Sequence, residues 1–221
     1  MVKKEIIRVK ADKNQIKKIY SRFSKIYGFI EKSERALRKR SLNLLNIQKG
    51  EIILEIGFGK GTALVDIVKL VGEDGKVYGI DLTPEMVDSA KKKLLRAGLI
   101  KSVNLFEGDA RELPFNNNMF DGVYISSTLE LFDTPDIPVV LKEIRRVLNP
   151  IGRLCVVSIP KEGREDSLGV KFFEWSHRIF QNYSSCRPIY VEEAIKNAGF
   201  KILKKDIIGL FLPMKVVIAA Y

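Results

Sequence analysis

The residues best suited to chemistry follow three successive short apolar runs. The first run leads into segment 54–62 (LEIGFGKGT), which carries an acidic residue, Glu55, and three alternating glycines, Gly57, Gly59 and Gly61. Glycine lets a backbone turn tightly and approach a ligand without a Cβ in the way. Asp81 ends the second run and Asp109 follows the third, where carboxylates can accept hydrogen bonds from ribose hydroxyls and from an exocyclic amine. The pattern predicts a nucleoside pocket spread over three strand ends.

The spacing of the glycines bears on which nucleoside ligand fits. The dinucleotide fingerprint G-x-G-x-x-G would place its third glycine at position 62, which is Thr62, and the third glycine comes one residue earlier. Glu55 would repel a pyrophosphate but would suit a cationic amine. A ligand with an α-amino group, a ribose and an adenine therefore fits better than a nicotinamide dinucleotide.

An alternation of strands and helices beginning at residue 49 must position these side chains. Short apolar runs predict strands at 51–56, 76–80, 103–106, 120–125, 153–158, 200–208 and 215–220. The last two are joined by too few residues for a helical crossover and should pair antiparallel. The predicted fold class is α/β, with a doubly wound, mostly parallel seven-stranded sheet of Rossmann-like type and an antiparallel C-terminal strand. In such sheets, ligands bind at the carboxyl ends of the strands.

Helix signals fall between these strands. Apolar residues at three- and four-residue spacing predict a helix over 62–71, and Thr83 followed by Pro84 provides an N-cap for the next. A further helix should end near residue 148, where the turn 149–152 leads into the fifth strand. A short helix is predicted at 191–198.

Two regions stand apart from this alternation. Amphipathic stretches at 16–27 and 31–45 predict an N-terminal helical cap over residues 1–48, with the core over 49–221. Around residues 163–187, aromatic side chains are denser than a connecting helix needs, and this density predicts a lid formed by Phe172, Phe173, Trp175 and Phe180. A role for the same aromatics in a core or a dimer interface is an equally good interpretation.

Composition limits the class of protein. The chain has 221 residues, and its 38 Lys and Arg against 27 Asp and Glu give a net charge of +11. No apolar run approaches the roughly 18–20 residues that a spanning helix needs, and the N-terminus lacks the run of a signal peptide, so we expect a cytoplasmic protein. The positive charge fits either a solvated surface or attraction to nucleic acid or anionic lipid, which leaves peripheral membrane contact open.

Metal chemistry is not predicted. Two cysteines, Cys155 and Cys186, and a single histidine, His177, show no metal-ligand spacing. The sequence does not indicate an oligomeric state.

Five motifs in order resemble the class I S-adenosylmethionine-dependent methyltransferases. They are LEIGFGKGT, GIDLTPEMV (79–87), GDARELPF (108–115), FDGVYISSTLELF (120–132) and RVLNPIGRLCVVSIP (146–160). The resemblance implies S-adenosyl-L-methionine as cofactor. It implies that Glu55 and the three glycines hold the methionine part, that Asp81 holds the ribose and that Asp109 faces the adenine amine. It also implies three further contacts: Leu82 against the adenine, Ala110 beside Asp109, and Ser126 near the sulfonium and its methyl.

Within that family, the chain is most similar to the ubiquinone/menaquinone C-methyltransferases. The grounds are the N-terminal aromatic spacing with Phe23 and Tyr27, the RVLNPIGRL turn, and NAGF (197–200). In that family the N-terminal aromatic segment folds over the cofactor, so Phe23 and Tyr27 join the lid candidates, with simple packing as the alternative. Where menaquinone-type enzymes have an Arg-Asn pair, this chain has Ser126-Ser127-Thr128.

The expected reaction is methyl transfer to a small hydrophobic or planar acceptor, quinone-like, lipid-like or another metabolite. Glu130 and His177 are the candidates for a general base. The alternative for Glu130 is a solvated carboxylate at the start of a helix, and the alternative for His177 is a surface or packing role. An RNA methyltransferase is one alternative function, favoured by the charge and opposed by the absence of a recognition module. A non-catalytic cofactor-binding protein is another.

Overall fold

The computed structural model describes residues 31–163, 171, 187–208 and 213–221. The helices are α1 (Glu31–Leu45), α2 (Thr62–Val71), α3 (Pro84–Arg96), α4 (Ile137–Val147) and α5 (Val191–Asn197), with short 3-10 helices at Ile100–Ser102 and Leu129–Leu131. The strands are β1 (Ile52–Ile56), β2 (Lys76–Asp81), β3 (Val103–Glu107), β4 (Phe120–Ser126), β5 (Leu148–Ser158), β6 (Lys201–Ile208) and β7 (Met214–Ala220). The predicted second N-terminal helix and the helix over 62–71 are confirmed.

The described strands form one sheet in the order β3-β2-β1-β4-β5-β7-β6. Strands β1 to β5 pair in parallel, and β7 runs antiparallel to both β5 and β6. This topology confirms the predicted doubly wound sheet with one reversed strand near the C-terminus. The order reverses direction between β1 and β4, which is the switch point where such sheets bind ligands.

Helices cover both faces of the sheet because neighbouring strand residues point to opposite sides. In β1, Ile53 packs with residues of α1, α2 and α3, whereas Leu54 packs with residues of α4 and α5. Both side chains are fully buried, as expected for a parallel strand covered on its two faces.

The fifth strand begins earlier than predicted. Phe120 pairs with Leu148 and Gly122 with Arg153, so residues 149–152 form an irregularity inside the ladder and not a turn before it. The Asn149 amide donates to Asp121 Oδ1 at 2.6 Å and holds this irregularity against β4. Pro150 and Gly152 predicted a turn that precedes the strand. The pairing of Phe120 with Leu148 and the hydrogen bond from Asn149 to Asp121 keep this segment in the sheet.

Arg153 fastens the end of α1 to the sheet. Its guanidinium donates to the carbonyl oxygens of Leu45 and Asn46, both at 2.6 Å, and to the Glu51 carboxylate at 2.7 and 2.8 Å. These bonds satisfy carbonyl groups that a helix end leaves without a partner inside the helix. They fix α1 over the middle of the sheet.

No helix within the described ranges is long and apolar enough to cross a bilayer.

Candidate functional site

The loop between β1 and α2 is built from glycines in the left-handed region. Gly57, Gly59 and Gly61 have φ angles of 69°, 51° and 74°. A Cβ added to Gly57 would overlap the side chain of Thr128, and one added to Gly61 would lie 2.8 Å from the Cβ of Ala90. A Cβ at Gly59 would meet no atom of the described residues within 4 Å. Two of the glycines are therefore required by packing, while the third borders open space that a ligand can fill.

Asp81, at the carboxyl end of β2, holds this loop in place. Its Oδ2 accepts from the Gly59 backbone N–H at 2.9 Å, and its Oδ1 accepts from the backbone N–H and the hydroxyl of Thr83 at 3.0 and 2.7 Å. Burial raises the pKa of Asp81, and these hydrogen bonds oppose that rise. A carboxylate has about four lone-pair positions, so Asp81 can still accept from a ribose.

Thr83 is the N-cap residue of α3, as predicted, but its hydroxyl makes no capping bond. It donates to Asp81 instead. Thr83 therefore precedes α3 as its N-cap residue and also holds the Asp81 carboxylate in place.

Glu55 lies in β1 and is only 4% exposed. Its Oε2 is buried and has no hydrogen-bond partner among the described residues. Burial, followed by repulsion from Asp81, raises the pKa of Glu55 well above its usual value, and the Arg38 guanidinium opposes that rise. A buried carboxylate oxygen without a partner is costly, and a ligand ammonium group beside it would remove that cost.

Asp109 is held by Arg111. The Arg111 Nη2 donates to Asp109 Oδ2 at 2.8 Å, and its Nη1 donates to Asp136 Oδ2, just before α4, at 2.7 Å. The hydrogen bond to Asp109 is the main cause that raises the pKa of Arg111. Arg111 thus links the loop after β3 to the start of α4. Sequence reasoning missed this arginine, although its place inside the GDARELPF motif was a signal.

The two apolar residues assigned to the adenine by resemblance differ in exposure. Leu82 is half-buried, and Ala110 is buried in the core beneath α4. Their predicted contacts with the cofactor remain predictions.

The end of β4 meets the glycine loop through Thr128. Its hydroxyl donates to the Ser126 carbonyl oxygen at 2.9 Å and lies 3.4 Å from the carbonyl oxygen of Gly57. Between them, Ser127 adopts a φ of 50°, which turns the chain sharply after the strand. Ser126 itself is half-buried. The structure therefore brings the ends of β1, β2 and β4 together. The sequence pattern placed the pocket at the ends of β1, β2 and β3, and the end of β4 was added by the family resemblance. The loop after β3 also begins beside β2, where the Gly108 N–H donates to the Asp81 carbonyl oxygen at 2.9 Å.

Glu130 is enclosed in the 3-10 helix after β4 and has no exposed surface. Neither carboxylate oxygen has a hydrogen-bond partner within the part of the chain that the structure describes. Burial raises the pKa of Glu130 to about 8, partly offset by nearby backbone N–H groups and by the Arg187 guanidinium. The interpretation of Glu130 as a solvated helix-start residue is wrong, and its role as a base stays a prediction.

The remaining candidates lie outside the described residues. They are His177, Phe23, Tyr27, Phe172, Phe173, Trp175 and Phe180. Across the described ranges, no group of three or more His, Cys, Asp and Glu side chains could hold a metal ion.

Known proteins share this domain. Residues 53–152 match the family described as "Methyltransferase domain". This match, together with the sheet order and the glycine loop at the switch point, supports the predicted resemblance of this domain to the class I S-adenosylmethionine-dependent methyltransferases.

The similarity to quinone methyltransferases is confirmed by a relative. Over 148 residues, the chain is 34% identical to demethylmenaquinone methyltransferase from Staphylococcus aureus strain JH9, which covers 65% of this chain. The matched region is 59% of that relative, so it spans less than two thirds of its length.

Two solved structures share the fold. A SAM-dependent methyltransferase from Aquifex aeolicus has a TM-score of 0.64 at 24% identity, covering 82% of this chain and 88% of that one. Geranyl diphosphate C-methyltransferase from Streptomyces coelicolor has a TM-score of 0.66 at 13% identity, covering 85% and 80%.

Proposed function

We propose that this chain binds S-adenosyl-L-methionine and transfers its methyl group to a small acceptor. Two observations on the described residues carry the proposal: Glu55 Oε2 is buried and has no hydrogen-bond partner among them, and none of them lies within 4 Å of a Cβ built at Gly59. The first suits the ammonium group of the methionine part, and the second leaves room for the ligand beside the backbone. A dinucleotide would place a pyrophosphate close to that carboxylate.

The residues present fit the cofactor at each of its parts. Glu55 and the backbone at Gly57 and Gly59 would hold the methionine moiety, and Asp81 would accept from the ribose hydroxyls. The adenine would lie against Leu82, with its amine toward the loop that carries Asp109 and Ala110. Ser126, half-buried at the end of β4, would lie near the sulfonium.

When bound, S-adenosylmethionine supplies an activated methyl group on a positively charged sulfur. Because that sulfur would depart as a neutral thioether, the protein would chiefly hold the acceptor atom close to the methyl and in line with the breaking bond. A base on the protein is needed only for an acceptor that must lose a proton before it reacts. Glu130 and His177 remain candidates for that role.

For the acceptor, we propose a hydrophobic, planar molecule of the quinone type. Support comes from the demethylmenaquinone methyltransferase relative and from the predicted aromatic lid around 163–187. The sequence Ser126-Ser127-Thr128 differs from the Arg-Asn pair of menaquinone-type enzymes, so we expect an acceptor whose polar groups differ from those of demethylmenaquinone.

Calorimetry with S-adenosylmethionine and S-adenosylhomocysteine tests the cofactor. We expect both ligands to bind at one site per chain. If neither ligand binds, the proposal is overturned. Incubation with radiolabelled cofactor and quinone-containing lipid extract then tests the acceptor. Label should appear in a lipid fraction, and label found only in RNA or in no fraction would contradict the quinone-type assignment.

We also propose that the chain contacts anionic membrane surfaces, where a lipid-like acceptor resides. The net charge of +11 supports this proposal, as do the exposed basic side chains of Arg35 and Lys39 on α1. They lie four residues apart and so share one side of the helix.

A further inference from the structure

One arginine is shared between two carboxylates, one in the loop after β3 and one at the start of α4. The backbone N–H of Arg111 donates to Asp109 Oδ1 at 3.0 Å. Its guanidinium donates to both oxygens of the same carboxylate, from Nε at 3.1 and 3.2 Å and from Nη2 at 2.8 Å. The other arm, Nη1, donates to Asp136 Oδ2 at 2.7 Å. A planar guanidinium that meets a carboxylate through two nitrogens fixes the plane of that carboxylate as well as its position.

Asp136 supports Arg111 and does not cap its own helix. It is the N-cap residue of α4, where an aspartate ordinarily accepts from a backbone N–H of the first turn, but its side chain makes no such bond. Its carboxylate accepts from Arg111 instead. The start of α4 therefore holds Arg111, and Arg111 in turn holds Asp109.

Asp109 lies at the end of the site that is assigned to the adenine. Glu107, the last residue of β3, pairs with Asp81, and the Gly108 backbone N–H donates to the Asp81 carbonyl oxygen. Asp109 is the next residue, so its backbone begins beside the end of β2. Its side chain is 16% exposed and is therefore neither sealed in the core nor fully solvated.

The guanidinium decides what Asp109 can recognise. An arginine side chain stays charged and only donates hydrogen bonds, so a carboxylate bound to it stays ionised and only accepts them. Such a carboxylate attracts the N–H of an exocyclic amine and repels a carbonyl oxygen. Adenine carries an amine at position 6 of its ring, whereas hypoxanthine carries an oxygen there.

We propose that Arg111 is a positioning residue that holds Asp109 as a hydrogen-bond acceptor in one orientation, so that the site selects a 6-amino purine over a 6-oxo purine. Asp136 completes the arrangement from α4. The inference rests on the proposed function, because it needs the base of the cofactor to lie beside the loop after β3.

The test compares two ligands that differ only in the base. S-adenosylhomocysteine carries the 6-amino group, whereas S-inosylhomocysteine has an oxygen in its place and a hydrogen on the neighbouring N1. By calorimetry, we expect the unaltered chain to bind the first at least about tenfold more tightly than the second. In Arg111→Ala, the Asp109 carboxyl group can turn and take up a proton, which lets it donate to the oxygen. The ratio of the two affinities should therefore fall roughly three- to tenfold.

Arg146→Ala is the matched control, because Arg146 holds the same loop to the same helix through other atoms. Its guanidinium donates to the carbonyl oxygens of Leu113 and Phe115 at 2.8 and 2.7 Å and to the Glu143 carboxylate of α4 at 2.7 Å. Loss of these bonds should weaken the binding of both ligands alike and leave the ratio unchanged.

Further variants test the same contact from its other side. Asp109→Asn should lower the ratio at least as far as Arg111→Ala, because an amide offers a donor to the oxygen. Adding Arg111→Ala to Asp109→Asn should change the ratio little, because both substitutions act through one side chain. Asp136→Ala should lower the ratio in the same direction and by less.

The outcomes separate the two proposals. If the unaltered chain binds neither ligand, the proposed function fails and this inference with it. If it binds S-adenosylhomocysteine but shows a ratio near one, or if Arg111→Ala leaves the ratio unchanged, the inference alone is overturned. It is also overturned if Arg146→Ala lowers the ratio equally, since Arg111 then only holds the loop. Should Arg111→Ala not fold, as judged by circular dichroism, the ratio measured for Asp136→Ala decides in its place.

Discussion

The Asp81 carboxylate is hydrogen-bonded to the backbone of the glycine loop. Its two oxygens already accept three hydrogen bonds from Gly59 and Thr83. Its removal would therefore loosen the glycine loop and also withdraw the acceptor proposed for the ribose.

We predict that Asp81→Ala weakens the binding of S-adenosylmethionine and S-adenosylhomocysteine alike. The loss should be at least about 1.5 kcal/mol, the scale of a hydrogen bond to a charged group, or roughly tenfold in affinity. Calorimetry measures it. Asp88→Ala, on the exposed side of α3, is the control and should not alter affinity. Unchanged binding in Asp81→Ala would reject the ribose assignment.

Glu130 makes stability depend on pH. Burial raises the pKa of Glu130 to about 8 in the folded state, above its ordinary value of 4.5. Between pH 4.5 and pH 8, Glu130 is therefore protonated in the folded chain and ionised in the unfolded chain. The stabilisation from this group is complete below the ordinary pKa and is lost as the pH rises through the folded pKa.

We therefore predict that Glu130→Gln unfolds with a flatter dependence on pH than the unaltered chain. The difference between their free energies of unfolding should change by up to about 1.4 kcal/mol per pH unit between about pH 5 and pH 8, with the variant gaining in relative stability as pH rises. Urea titrations at several pH values measure it. Glu112→Gln, at an exposed position, should show no such change, and parallel curves for Glu130→Gln would contradict the buried-acid interpretation.

The loop from β1 to α2 combines packing and binding in one short turn. The neighbours of Gly57 and Gly61 leave no room for a Cβ, whereas a Cβ at Gly59 would lie more than 4 Å from every described residue outside its own chain neighbours. The loop therefore offers a way to separate backbone strain from ligand exclusion.

We predict that Gly59→Ala abolishes measurable cofactor binding at a modest cost in stability. An alanine in the left-handed region costs about 1–2 kcal/mol, and its Cβ would enter the space assigned to the ligand. Gly50→Ala is the matched control. Gly50 also has a positive φ, 83°, and a Cβ added there would meet no described residue within 4 Å. It precedes the amino end of β1, whereas the glycine loop follows the carboxyl end. It should lose similar stability, measured by thermal unfolding, and bind the cofactor normally. Normal binding by Gly59→Ala would place the ligand elsewhere.

Over the whole molecule, the excess of basic residues has a measurable consequence. The charge of +11 attracts the chain to negatively charged surfaces, and salt screens that attraction over about 10 Å at 0.1 M ionic strength. The exposed pair Arg35 and Lys39 puts part of this charge on α1.

We predict that the chain sediments with vesicles containing phosphatidylserine at low salt and is released as NaCl is raised. Arg35→Glu with Lys39→Glu should weaken sedimentation more than Lys92→Glu with Arg96→Glu, which makes the same change of charge at exposed positions four residues apart on α3. Equal weakening would mean that net charge acts without a defined surface. No sedimentation at low salt would reject membrane contact.

Much of the fold followed from the sequence because its signals are local. The apolar spacing of residues 62–71 and the glycine-rich turn before them specify a strand, a tight turn and a helix without reference to the rest of the chain. The short connection between the last two strands likewise required a hairpin. Residues 149–152 were misjudged because the pairing of Phe120 with Leu148 is a contact between distant parts of the chain.

At the site, the sequence by itself determined which side chains meet. Parallel strands place their carboxyl ends at one edge, so the glycine loop, Asp81 and Asp109 were expected together, and the family resemblance added Ser126. Only the tertiary structure decided what each one contacts: Asp81 bound to Gly59, Arg111 holding Asp109, and Glu130 enclosed. Such contacts depend on distances between elements far apart in the chain, and burial, which sets the pKa of a carboxyl group, is a property of the packed molecule.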